Sequence, residues 1–233
     1  MLINNSNANA KYNIVLNEKK ISPSKTDCNL QWLKGALTPM LLDTETKFCD
    51  IECKFTMEAN TEDEFWQKFS EFNKDTVESI LKFDDINMLY KCYIQGAKEP
   101  IRITPYNWEF TCNWIGYKYK NEVVVDIMKE FSKTIDVKGN LKTPCILEVT
   151  PSVDLIDLKL DGLANDPITI KNLHANKKII IDGKEGTILE EGVNKFGDTE
   201  DFWEFPFLVP GPNTITLSKN SCDVVIKYEP RYL

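Results

Sequence analysis

The sequence predicts a mainly β protein of two domains: an N-terminal β-sandwich-like domain with one amphipathic helix, and a C-terminal antiparallel β-sandwich. Three observations predict it. Apolar and polar residues alternate with period two in segment after segment, the strand signature. One segment alone, TEDEFWQKFSEF, has helical spacing. The stretch GNLKTP at residues 139–144 has the glycine, polar residues and proline of a boundary, and the chain beyond it is almost purely β. The predicted domains are therefore residues 1–142 and 143–233.

Taken in order, Tyr12, Ile14 and Leu16 alternate with polar neighbours except for Val15, which predicts a first strand. In CDIECKFTM, residues 49, 51, 53, 55 and 57 are Cys, Ile, Cys, Phe and Met, separated by Asp, Glu, Lys and Thr. That pattern puts both thiols on the buried face of a strand as small hydrophobes. A metal site at Cys49 and Cys53 is not expected, because zinc usually needs a second ligand pair at short spacing. In the helical segment Thr61 and Glu64 form a capping-box pattern, and Glu62 and Asp63 sit where the helix dipole favours negative charge. Phe65, Phe69 and Phe72 then recur at spacings of four and three, with Trp66 flanking them. This helix packs across a sheet or a neighbouring subunit.

FDDIN reads as a turn, after which Met88, Tyr90, Cys92 and Ile94 share one strand face; Trp108, Phe110, Cys112 and Trp114 share another. VVVDIMKEFSK, residues 123–133, is ambiguous between strand and helix. Beyond residue 143, Ile156, Leu158 and Leu160 alternate with Asp157, Lys159 and Asp161. KKIIIDGKEGTILEEG predicts a hairpin turning at Asp182-Gly183 and Gly186, and NTITLSK and DVVIKYE close the domain as strands.

The 233 residues are 42% hydrophobic and 27% charged, an ordinary globular composition with a net charge of −8. Residues 143–233 carry 9 basic and 15 acidic residues, net −6. Only two arginines exist, Arg102 and Arg231, so a phosphate-neutralising surface for nucleic acid is not expected. No stretch approaches the ~18 consecutive apolar residues of a membrane span. The asparagine-rich start lacks a signal peptide's apolar run, so the expectation is a soluble protein made in a cytosol.

Signatures of catalysis are missing. The single histidine, His174, lies in NLHANKK between two predicted strands and reads as a loop residue rather than a base. There is no GxSxG elbow and no phosphate-cradling glycine loop. The acidic pairs Asp84-Asp85, Glu190-Glu191 and Glu200-Asp201 sit in turns or polar stretches and read as solvated charges rather than a glycosidase pair. Trp203, flanked by Asp201 and Glu204, could stack on a sugar ring; its alternation with Phe205 and Phe207 favours a place in the core. No catalytic, cofactor-binding or metal-ligating residue is assigned, and no enzyme is expected.

The C-terminal run resembles the C-terminal domain of siphophage distal tail (Dit) proteins. Ile181-Asp182-Gly183 matches that family's hairpin. Phe205-Pro206, Leu208, Pro210-Gly211 and Asn213 match its "FP-x-L-x-PG-x-N" turn, and Tyr228 with Pro230-Arg231 matches its closing motif. The likeness is strong over residues 163–233 and moderate over 50–120, while residues 1–48 match nothing nameable. It implies a galectin-like C-terminal sandwich and an N-terminal ring-forming (belt) domain that closes into a hexamer at the tail tip. Implied partners are other copies of the chain, the tail tube protein, a tail-tip or tail-associated protein and a receptor-binding protein. The implied location is the virion, assembled in the host cytoplasm. A carbohydrate-binding module is the alternative: His174, Asn194, Trp203 and Arg231 are the polar and aromatic residues a galectin-like sheet would use.

Overall fold

Cys49, Ile51, Cys53, Phe55 and Met57 are fully buried along strand Cys49–Glu58, while the residues between them face outward. Strand Asn107–Tyr119 runs antiparallel beside it, with Cys112 opposite Cys53 and Phe110 opposite Phe55. The computed structural model describes residues 1–233, and the chain divides into two compact units, Met1–Tyr119 with Leu233 and Lys120–Tyr232.

The sheet of the first unit runs Ser6–Asn7, Leu2–Ile3, Glu78–Lys82, Leu89–Ala97, Asn107–Tyr119, Cys49–Glu58 and Ile14–Ile21. Ile101–Thr104 adds a further pairing to Asn107–Tyr119. Helix Glu62–Asp75 lays Phe65, Phe69 and Phe72 on this sheet and leaves Trp66 about half exposed. Phe65 stacks on Trp108, and Phe55 meets Phe72, Phe110 and Trp114. The Thr61 hydroxyl accepts from the Glu64 N–H at 3.1 Å, as the cap pattern predicts. The Glu64 carboxylate reaches back to the N–H of Asn60 rather than of Thr61.

Tyr12 corrects the predicted first strand. It ends a short helix, Ala8–Tyr12, which Asn7 caps by accepting from the Ala10 N–H and Asn13 terminates at φ 54. Strand character begins at Ile14. Asparagine's capping and left-handed tolerance outweigh the alternation here.

In the second unit one sheet contains Val123–Met128, Cys222–Tyr228, Thr143–Pro151, Ile179–Asp182, Thr187–Glu190 and Val193–Asn194, with Phe207–Leu208 pairing to Thr143–Pro144. The other contains Ser132–Val137, Gly211–Leu217, Leu155–Asp161, Ile168–Leu173 and Thr199–Glu200. Leu147, Leu160, Ile170, Ile181, Ile215 and Ile226 from both sheets share one buried core.

The ambiguous segment 123–133 is thus one strand and the turn into another. Both strands pair inside the second unit. The division between units falls at 119/120, two strands before the boundary at 142/143 that the sequence predicts. GNLKTP is an internal turn pinned by the chain's last residues: Asn140 N–H donates to the Arg231 carbonyl, and the Thr143 hydroxyl to that of Glu229. Ile156 also departs from expectation. It is 83% exposed, at the strand end where Asn172, φ 54, breaks the ladder.

The two family-like turns interlock. Asp182 caps its own hairpin by accepting from the N–H groups of Lys184 and Glu185. Gly183 lies so close to the carbonyls of Pro206 and Cys145 that a Cβ there would collide with both. In FPFLVPGPN, Leu208 is fully buried, Phe205 packs half-buried on the core, and Gly211 adopts φ 93. Asn213 closes the turn. Its amide accepts from the Val209 N–H and donates to the carbonyls of Val209 and Gly211.

Candidate assembly surfaces

Residues 26–46 form a hairpin arm whose strands, Thr26–Gln31 and Met40–Thr46, pair only with each other. Every residue of both strands is exposed. Strand alternation places Cys28 and Leu30 on one side, with Thr44 and Leu41 opposite them, and Asp27, Asn29, Asp43 and Glu45 on the other. Trp32, Leu33 and Leu37 extend the apolar side towards the tip, and Leu37 is 95% exposed. An isolated two-stranded hairpin is marginal in water, and contiguous exposed apolar side chains are a common mark of interaction surfaces. Sequence reasoning missed the arm. Its one available signal was LQWLKGALTPMLL, apolar yet without the spacing of a core element.

A second uncovered strip lies on strand Ile101–Thr104, all four residues of which are exposed. Ile101, Ile103 and the adjoining Tyr106 stand out to solvent. The strand pairs with Asn107–Tyr119 on one side and with nothing on the other.

In the second unit Trp203 is 75% exposed, which corrects its expected place in the core. No strand forms there: Asp201 takes φ 49 and Pro206 interrupts the alternation. Phe202 and Phe205 supply the buried contacts instead, meeting each other and Phe196 edge-on or tilted. Glu204 accepts from the backbone and side-chain N–H groups of Asn165. Asn194 accepts from the Phe196 N–H, and His174 bonds Glu190 at 3.1 Å; neither bond involves Trp203.

The acidic pairs are occupied by cations. Asp84 holds the α-ammonium of Met1, Lys19 pairs with Asp85, and Lys171 with Glu200. Glu190 belongs to a denser cluster. The Lys195 ammonium, its side chain 4% exposed, lies 3.3 Å from Glu190, 3.0 Å from Asp198 and 2.9 Å from the Asn172 carbonyl. Burial alone would raise the Glu190 carboxyl; hydrogen bonds from His174 and Lys195 outweigh it and hold it below its usual range. The Asn172 amide, then Lys195, lower Asp198 likewise. Carboxyls depressed in the fold contribute stability above their unfolded pKa of about 4, and lose it as pH falls through the lowered native values. The melting temperature of the second unit is therefore expected to drop on acidification below pH ~4, and Glu190→Gln to flatten that drop. An unchanged pH profile in the variant would refute this role.

Cys49, Cys53, Cys92, Cys112, Cys145 and Cys222 are buried and Cys28 is exposed. Burial pushes the Cys53 and Cys112 thiols up to about 12 and Cys92 and Cys145 higher still, so all four are neutral. No three His, Cys, Asp or Glu side chains converge as a metal site would need, and no helix is long and apolar enough to cross a membrane.

Residues 138–232 match the family described as the siphovirus-type tail component, C-terminal domain. No curated protein matches the chain. Among solved structures, the SPP1 Dit protein, described as a paradigm of the hub adsorption apparatus in phages infecting Gram-positive bacteria, is similar with a TM-score of 0.77 at 10% identity. That match covers 100% of this chain and 98% of the other. A chain from the phage P2 baseplate in its activated conformation with calcium is similar at 0.56 and 12% identity, covering 92% and 90%. The same baseplate with strontium gives 0.54 at 12% identity and the same coverage. At these identities the structural likeness is one of fold, and it extends along the whole chain. The family match over residues 138–232 and the likeness of fold along the whole chain agree with the motifs of the IDG hairpin and the FPFLVPGPN turn: residues 138–232 are a siphovirus-type tail component C-terminal domain, and the chain as a whole is similar in fold to a distal tail (Dit) protein.

Proposed function

We propose that the protein is a structural hub at the distal end of a phage tail. Its N-terminal unit self-associates into a closed ring, a hexamer, that joins the tail tube to tail-tip proteins and carries receptor-binding parts. The observation that carries this reading is the arm, an amphipathic hairpin whose apolar side nothing in its own chain covers. A cyclic assembly buries such an arm in every copy and leaves none over. The solved structures of similar fold, described as a tail hub and a baseplate, support the reading, as do sites occupied by structural ion pairs rather than arranged for chemistry.

Light scattering coupled to size exclusion is expected to give about six times the 26.8 kDa chain mass, with rings in electron micrographs. Leu30→Glu combined with Leu41→Glu should return it to a monomer with unchanged circular dichroism. A wild-type monomer at tens of micromolar would sink the proposal.

One observation favours a second reading, a carbohydrate-binding domain on the same machine: Trp203 is exposed beside Asp201 and Glu204. On that reading Trp203→Ala abolishes binding to host wall polysaccharide while leaving the melting temperature unchanged. On the scaffold reading there is no saccharide signal to lose, and titration of wild type with purified polysaccharide leaves Trp fluorescence flat.

A further inference from the structure

We propose that Cys53 and Cys112 are a latent cross-strand disulfide, closed by a small-molecule disulfide oxidant once the chain is outside a reducing cytosol. The two residues stand directly opposite each other on strands Cys49–Glu58 and Asn107–Tyr119, and both are fully buried on the same face. Directly opposed antiparallel residues have Cα atoms about 4.5 or 5.5 Å apart. Either spacing lies inside the roughly 4.4–6.8 Å that a disulfide spans. No other two of the seven cysteines meet this condition. Cys49 and Cys92 are both in register with Gly116, on its opposite sides, and so stand two strand spacings apart, about 9.5 Å. Cys145 lies opposite Tyr228 and Cys222 opposite Pro151, at the two ends of one ladder. Cys28 is alone on the arm.

The surroundings of the pair are apolar. Phe55 faces Phe110 on one side of it and Ile51 faces Trp114 on the other, all four buried. Closure is thiol–disulfide exchange. One cysteine, as thiolate, attacks a sulfur of the oxidant and expels one small thiolate; the second attacks the resulting mixed disulfide and expels the other. The two protons lost by the cysteines end on the two released thiols. The oxidant's S–S bond is reduced, and the Cys53–Cys112 bond is the oxidised product. Burial sets the rate. It pushes both thiols up to about 12, so exchange runs only through openings of the strand pair, and the same packing shields the product from reductant. Glutathione keeps cytosolic thiols reduced, whereas virion surfaces are oxidising. The tail-hub reading above enters only there, as the place where the oxidant is met. The bond closes a long loop between two neighbouring strands inside the sheet, which restricts the unfolded chain and clamps the sheet's centre.

Oxidation of the purified full-length chain tests this, with Cys28→Ser as background so that only the six buried thiols report. Refolded from urea with oxidised and reduced glutathione, the chain is expected to lose two of those six, counted by alkylation and mass spectrometry in denaturant. A non-reducing digest should contain the peptide of Cys53 joined to that of Cys112. Added to the folded chain, the same oxidant should form the same bond more slowly. The urea midpoint followed by tryptophan fluorescence should rise with the bond and fall back on reduction. Cys112→Ala in the same background should keep all its thiols and show no oxidant-dependent shift. Six free thiols after refolding, glutathione adducts without the joined peptide, or a link between other cysteines overturns the inference. So does a bond that forms on refolding but never in the folded chain. A bond that leaves the midpoint unmoved overturns its role as a clamp. These readouts do not depend on assembly, so a wild-type monomer sinks the ring and leaves the disulfide standing.

Discussion

Phe55→Ala is expected to destabilise the N-terminal unit by about 3–5 kcal/mol, the range for truncating a buried aromatic. Phe55 is fully buried and touches helix and sheet partners together: Phe72 at 5.8 Å, Phe110 at 5.5 Å and Trp114 at 6.2 Å between centroids. Oriented aromatic pairs add roughly 0.5–1.5 kcal/mol each beyond burial, so the cavity also loosens its neighbours. Four of the five tryptophans, Trp32, Trp66, Trp108 and Trp114, lie in this unit, which makes fluorescence in urea its reporter. The fluorescence transition should shift to lower urea and self-association should weaken with it. A loss below about 1 kcal/mol would mean that the sheet and helix do not share the core described.

Leu208→Ala is expected to cost the C-terminal unit about 2–5 kcal/mol. Leu208 is fully buried beneath the FPFLVPGPN turn, whose short strand pairs with Thr143–Pro144. Phe205 is only half-buried, so Phe205→Ala should cost less than Leu208→Ala. Thermal unfolding followed by circular dichroism separates the two, and the reverse ranking would show that the aromatic ring pins the turn.

Alternation in CDIECKFTM and NWEFTCNW was legible because both faces of those strands have their partners within the chain: core on one side, water on the other. The capped helix was legible for a similar reason, as Thr61 acts on its own first turn. The arm was not. Nothing in its own chain covers its apolar side, so burial within one copy does not shape the pattern of residues 26–46. Trp203 misled because period two in FWEFPF implies a strand only if the backbone is extended, and Asp201 with Pro206 prevents that. The boundary at GNLKTP misled because a linker and a tight internal turn use the same residues. What separates them is the distant strand end, Glu229 to Arg231, that holds this turn in place.

The uneven burial of sulfur makes the protein chemically addressable at one point. Six thiols lie within the two cores, and burial makes several of them very weak acids, so a maleimide at neutral pH should consume one equivalent per native chain, at Cys28. That residue lies midway along the first strand of the arm, opposite Thr44. If the chain forms the ring proposed above, a fluorophore attached there becomes a ruler around it. Its self-quenching reads the spacing of neighbouring arms, and unfolding announces itself by the sudden appearance of six further reactive groups.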